Sequence, residues 1–232
     1  TVVSPFYPYA RQDKKHKGRE PISARLISDL YKTAGADRLM CVDLHTSQIQ
    51  GFFDGPLDHL FAIPVLAKHI RERVDDLSNV TVVSPDTGRV RVAEHWADLL
   101  DGAPLAFVHK TRDINVPNQA VSKTVVGDIE GRTCVLIDDM IDTGGTIAGA
   151  VKVLMDKGAK EVIIAATHPV LSDPAAERLS QCGAVEVVVT NTLPVPEEKQ
   201  FDNLTILSIA PLIARAIREV FDEGSVTEIF EH

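Results

Sequence analysis

Thr133-Cys134-Val135-Leu136-Ile137-Asp138-Asp139-Met140-Ile141-Asp142-Thr143-Gly144-Gly145-Thr146 is the stretch from which the fold is read. An apolar run ends in carboxylates, and a Thr-Gly-Gly-Thr turn then opens a segment of helical period over 146–157 that stops at Gly158. A strand that passes through a glycine turn into a helix is half of a βαβ unit. Outward from it, strand-like runs recur at 38–43, 80–84, 105–109, 133–137, 162–166, 185–190 and 204–208. Continuous β-branched runs such as Val162-Ile163-Ile164 and Val187-Val188-Val189 mark strands buried on both faces. Helical patterns lie between them. One follows Pro21, placed at a first helical turn, through Ile22, Leu26, Ile27 and Leu30 to a stop at Gly35; another runs over 211–221 and ends before Gly224. The alternation predicts an α/β fold with a parallel sheet, whose ligands sit beyond the carboxyl ends of the strands.

The chemistry of the loop follows from its residue types. Gly144 and Gly145 let backbone approach a ligand, and exposed N–H groups at a helix start favour an anion. Thr143 and Thr146 add hydroxyl donors. No lysine follows the glycines, so this is not a Walker A loop. Asp138, Asp139 and Asp142 would repel a bare polyphosphate but suit sugar hydroxyls, and an anion site beside a diol site fits a sugar phosphate. The plainer reading is a glycine turn with Asp and Thr caps; the coincidence of three acids, two threonines and a glycine pair at one strand–helix junction favours the ligand.

Composition narrows the class. The 232 residues are 44% hydrophobic and 25% charged, ordinary for a globular chain and unlike disorder or coiled coil. No apolar run reaches the roughly 20 residues of a membrane span, and no secretory signal opens the chain. Cys41, Cys134 and Cys182 show no Cys-x-x-Cys or Cys/His spacing, which points away from zinc and towards reduced thiols in a cytoplasmic protein. A net charge of −9 argues against nucleic acid as a partner. Against that background Arg11, Lys14, Lys15, Lys17 and Arg19 surround the single acid Asp13, a basic island suited to a small anionic ligand. The opening Thr1-Val2-Val3 reads as the middle of a strand, as if the chain were a fragment.

The run 135–146 resembles the phosphoribosyl-binding loop of type I phosphoribosyltransferases and of ribose-phosphate pyrophosphokinases. Three further stretches resemble the second group: Tyr9-Ala-Arg-Gln-Asp13, Val42-Asp-Leu-His45 continuing through Gln48 to Phe53, and Lys110-x-Arg112. The likeness runs nearly end to end, with roughly the first quarter to third of a family chain lacking. It implies a phosphoribosyltransferase-like (type I) parallel-sheet fold of two related domains, the first incomplete. The expected divisions are 1–64 for the tail of the first domain, 65–201 for the second and 202–232 for a segment returning to the first.

The resemblance also implies an activity: transfer of the β,γ-diphosphoryl group of Mg-ATP to the C1 hydroxyl of ribose 5-phosphate, leaving AMP. Arg11, Gln12 and His45 would bind ATP, an assignment in keeping with arginine as a planar, permanently charged donor fork. His45, Asp86 and Asp43 would position Mg²⁺, and Asp54 with Asp58 fall where some members hold a second cation, two solvated acids being the equal alternative. A second glycine commonly follows Gly88; here Arg89 stands there. Asp138, Asp139, Asp142, Thr143, Gly144, Gly145 and Thr146 would hold ribose 5-phosphate together with Arg112. Lys110 and Arg112 would stabilise the transition state from a mobile loop running to about Lys123, with Asn115, Pro117 and Asn118 as its turn-forming residues. Trp96 is read as a core or interface residue, and His95, His168 and His232 attract no role. A homo-oligomer, often a hexamer, is implied, with part of the adenine pocket supplied by a neighbouring copy. Two other readings stand beside this one: a phosphoribosyltransferase that consumes the activated sugar, and a regulatory homologue that binds nucleotide without turnover. The Lys110/Arg112 and His45 segments speak against the first, and the retained Lys110, Arg112 and loop acids against the second.

Overall fold

The computed structural model describes residues 1–15, 17–86, 90–111 and 122–230. In chain order its elements are β1 (Val2–Ser4), α1 (Ser23–Thr33), β2 (Leu39–Val42), β3 (Leu57–Leu60), α2 (Ile63–Arg73), β4 (Val80–Ser84), α3 (Val90–Leu99), β5 (Leu105–Thr111), β6 (Ser122–Val126), β7 (Thr133–Ile141), α4 (Gly145–Asp156), β8 (Glu161–Pro169), α5 (Ala175–Gln181), β9 (Glu186–Thr190), β10 (Leu204–Leu207) and α6 (Ala210–Phe221). These divide into two units, Thr1–Ala62 with Ser208–His232, and Ile63–Leu207.

The first unit is built on a three-stranded parallel sheet of order β1-β2-β3. Every residue of β2 is buried, and Leu39 and Cys41 join Tyr7, Ala24, Ile49 and Phe53 in one apolar cluster. The Tyr7 hydroxyl donates to the Ala24 carbonyl at 2.8 Å and lies 2.6 Å from Ser28 Oγ, which ties α1 to the loop after β1. Helix α1 starts after Ile22, so Pro21 precedes the helix rather than opening its first turn. Strand β3, Leu57-Asp58-His59-Leu60, alternates too little for its sequence to declare it; pairing with β2 makes it a strand.

The second unit holds a seven-stranded sheet of order β10-β9-β8-β7-β4-β5-β6. All its ladders are parallel except β5–β6. The connection from Thr111 to Ser122 is too short for a helical crossover, which takes a dozen residues or more, so the chain turns back antiparallel. The strands at the centre are buried on both faces: β8 exposes only part of Glu161, and β7 only part of Asp138. Leu136 and Ile164 pack with Ile147, Val151 and Leu154 of α4 in the larger core, and Trp96 of α3 is 2% exposed, a core residue. Strand β10 pairs with β9 throughout its length, so the chain remains in this sheet until Leu207. No helix among the described residues is long and apolar enough to cross a membrane.

Candidate active site

Strand β7 runs four residues further than its apolar run predicts, to Ile141, and this changes the geometry of the loop acids. Asp138 and Asp139 lie within the strand, and the pleat sends their side chains to opposite faces. Asp138 is half-buried and its Oδ1 accepts the Asp139 N–H at 2.9 Å, while Asp139 is buried. On one side β7 stays paired with β8 out to Ile141↔Pro169; on the other, its ladder with β4 stops at Val83↔Leu136. The acids thus occupy a strand end that projects beyond its neighbour β4.

The turn after β7 is short. Gly144 takes the left-handed conformation, φ 70°, and caps α4; its carbonyl accepts the first helical bond, from Ala148 N–H at 2.9 Å. The carbonyl of Thr143 is turned aside, accepting from Arg178 Nη1 on α5 at 2.9 Å. With both carbonyls engaged, the first N–H groups of α4, which have no intrahelical partner, are what the turn presents. Thr143, Gly145 and Thr146 are exposed, as a ligand loop requires.

Two neighbouring strands end at the same edge. Asp86 stands two residues past β4, exposed, and its carbonyl accepts from Ser84 Oγ at 2.6 Å. Lys110 lies near the end of β5, opposite Lys123 in the β5–β6 ladder. The loop expected from Lys110 to Lys123 therefore has a paired, antiparallel base. Arg112, Asn115, Pro117, Asn118, Gly88, Arg89 and His232 lie outside the described residues, as does the side chain of Lys110.

In the first unit, Arg11 and Gln12 are exposed on the loop before α1, and His45 is half-buried just past β2. The backbone between them is heavily tied. Asp43, at φ 39°, accepts the Ala62 N–H on Oδ2 at 3.0 Å, and the Leu44 N–H donates to His59 Nε2 at 2.9 Å. One carboxylate oxygen of Asp43 thus serves its own fold. Asp58 receives Arg38 through both oxygens at 2.9 and 3.1 Å, an ion pair where a cation site had been one of two readings; Asp54 is exposed. Among the described residues no cluster of three or more His, Cys, Asp or Glu could hold a metal by itself.

Comparison with known proteins decides the family. A family model described as a phosphoribosyl synthetase-associated domain matches residues 103–231, and one described as the N-terminal domain of ribose phosphate pyrophosphokinase matches residues 1–35. The ribose-phosphate pyrophosphokinase of Mycobacterium tuberculosis is 70% identical over 231 residues, spanning 100% of this chain and 71% of that protein. That of Bifidobacterium longum is 66% identical over 232 residues, with 68% of its length covered. The chain belongs to the ribose-phosphate pyrophosphokinase family. The crystal structure of phosphoribosylpyrophosphate synthetase from Mycobacterium smegmatis matches the fold at TM-score 0.89 and 66% identity, over 96% of this chain and 71% of that one. Likeness of this degree to pyrophosphokinases sets aside the simple phosphoribosyltransferase.

Within this pyrophosphokinase chain, sequence reasoning passed over two residues that hold others. Arg178 had no motif to announce it, since its role depends on α5 lying beside the Thr143 turn. Asp13 is buried and accepts from Thr46 Oγ1 at 2.7 Å and Gln48 Nε2 at 2.6 Å. Its signal was present as the lone acid of a basic run, but its partners stand more than thirty positions later.

Proposed function

We propose that this chain, as a ribose-phosphate pyrophosphokinase, makes 5-phosphoribosyl 1-diphosphate and AMP from ATP and ribose 5-phosphate through the residues named above. The C1 hydroxyl oxygen of the sugar attacks the β-phosphorus; the bond from that phosphorus to the α,β-bridging oxygen breaks; AMP leaves and the hydroxyl proton is released. The observation that supports the sugar-phosphate half is the α4 turn, where the Thr143 and Gly144 carbonyls are engaged and the first N–H groups of the helix follow closely on Asp138, Asp139 and Asp142 in the chain. In this reading Thr143, Gly144, Gly145 and Thr146 hold the 5-phosphate, and the acids hold the ribose hydroxyls. Arg11, Gln12 and His45 bind ATP.

The donor set fits Mg²⁺ carried on ATP. Such an ion keeps several waters and takes one or two carboxylates beside the phosphates, so no complete protein cage is needed. Asp86, exposed at a strand end, is the residue best suited to it, and His45 and Asp43 would take part with it. When bound, the ion supplies neutralisation of the triphosphate charge. Lys110 and Arg112 stabilise the charge that gathers on the equatorial oxygens of the diphosphoryl group, and closure of their loop excludes water. No group has to form a covalent intermediate; positioning and electrostatics carry the rate. A cytoplasmic homo-oligomer, of hexameric order, completes the proposal.

Incubation with ATP, Mg²⁺ and ribose 5-phosphate, followed by assay of both products, tests it. AMP and phosphoribosyl diphosphate should form in equal amounts, and neither should form without the sugar phosphate. Formation of ADP in place of AMP, or AMP release without ribose 5-phosphate, would overturn the reading.

A further inference from the structure

In the run Arg11-Gln12-Asp13-Lys14-Lys15, four side chains are exposed and one is not: Asp13 is 5% exposed. Its Oδ2 accepts from two donors, the Thr46 hydroxyl at 2.7 Å and the Gln48 amide at 2.6 Å. Both donors are neutral. Withdrawing a carboxylate from water for neutral partners costs more than burying a neutral residue, and the return is a pair of short, charge-assisted bonds. Those bonds join two segments remote in sequence. Thr46 follows His45 directly and precedes the short helix Ser47–Phe52 that contains Gln48. On the other side Gln12 is tied by its own backbone, donating to Tyr9 O at 2.8 Å and accepting from Ala24 N at 3.2 Å.

We infer that Asp13 is a positioning residue for nucleotide binding, a buried strut that sets the spacing between the Arg11–Gln12 pair and His45. The inference rests on the reading that those three residues contact Mg-ATP. Asp13 touches no substrate; it acts through Thr46 and Gln48. Loss of the strut leaves each segment with its other ties, the Gln12 backbone bonds and the Leu44–His59 bond, but removes the two Asp13 bonds that run from one segment to the other.

Calorimetric titration of the full chain with Mg-ATP and, separately, with ribose 5-phosphate tests this, alongside the KM for each substrate. Asp13→Ala should weaken Mg-ATP binding tenfold or more and leave ribose 5-phosphate within twofold. Asp13→Asn, which keeps an acceptor oxygen without the charge, should recover part of the loss. Thr46→Val, nearly the same size, should weaken Mg-ATP at least threefold, and it decides the matter if Asp13→Ala does not fold. A residue needed only for folding would lower the melting temperature and the active fraction while moving neither dissociation constant; that result, or equal loss for both ligands, overturns the inference. Arg11→Ala separates the two layers. If it weakens Mg-ATP while Asp13→Ala and Thr46→Val do not, the strut is wrong and the nucleotide site stands. If Arg11→Ala has no effect, the nucleotide site itself is misplaced and the strut falls with it.

Discussion

Asp138 and Asp139 differ by one position and by one face of a strand, so they cannot serve the same hydroxyl group. Asp138 bonds its own backbone and keeps partial exposure; Asp139 is 8% exposed. Asp138→Asn should therefore raise the KM for ribose 5-phosphate with little change in melting temperature, whereas Asp139→Asn should lower both affinity and thermal stability. Parallel kinetic and melting measurements would distinguish them. Lys110→Ala should lower kcat by about 10²–10³, or roughly 3–4 kcal/mol, the loss expected for one strong transition-state donor; a variant with half the parent activity would remove Lys110 from the mechanism. Chemistry at the cysteines is a matter of burial. Loss of hydration pushes the Cys41 and Cys134 thiols up to about 12. Neither should react with a thiol reagent at pH 8 until the protein is denatured. Because the folded state favours the neutral thiol, that contribution to stability is complete below the usual thiol value of 9.0 and is lost as pH rises from there towards about 12. Urea melts between pH 8 and 11 should show the decline, and Cys41→Ala, measured against the parent, should reduce its slope.

At the scale of an element, the turn into α4 depends on one backbone conformation and one neighbour. Gly144 sits at φ 70°, where an L side chain costs about 1–2 kcal/mol; an added Cβ would otherwise meet only ordinary contacts with Ala175 and Leu179. Gly144→Ala should thus destabilise the second unit by about that amount through the backbone alone. Arg178 contributes from the next helix. Its bond to the Thr143 carbonyl turns a negative dipole away from where the phosphate would lie. Arg178→Ala should raise the KM for ribose 5-phosphate several-fold, leave that for ATP unchanged, and be only partly matched by Arg178→Lys, whose ammonium lacks the planar fork. Equal changes in both KM values would count against this role.

The chain as a whole consists of two units; the proposed site draws Arg11, Gln12 and His45 from the first, and Asp86 with the sugar-phosphate turn from the second. Ligand at a hundred times its dissociation constant stabilises the state that binds it by about 2.7 kcal/mol, enough to slow local opening roughly a hundredfold. Amide exchange should therefore respond separately. Ribose 5-phosphate should protect 138–148 and the neighbouring α5, and Mg-ATP should protect 9–13 and 43–49. Protection by ribose 5-phosphate confined to the first unit would reverse the assignment.

Much of this was legible along the chain. The β-branched runs of β8 and β9 and the acid-then-glycine run through β7 identify a parallel sheet and the glycine turn that leaves it, because strands buried on both faces must be continuously apolar and a left-handed helix cap calls for glycine. What depends on a partner was not. Strand β3 exists by pairing with β2, and β6 by a connection too short to cross over. The extension of β7 through Asp138 and Asp139 is held by β8, which turned two loop acids into strand residues on opposite faces. Asp58 reads equally as a cation ligand and as a solvated acid until Arg38 is seen against it, and nothing in the sequence gives Asp13 its partners Thr46 and Gln48. The sequence by itself determined residue chemistry, periodicity and family, which are local or cumulative along the chain. Only the tertiary structure decided which oxygen faces which donor, because a hydrogen bond depends on distances between segments that no spacing in sequence records.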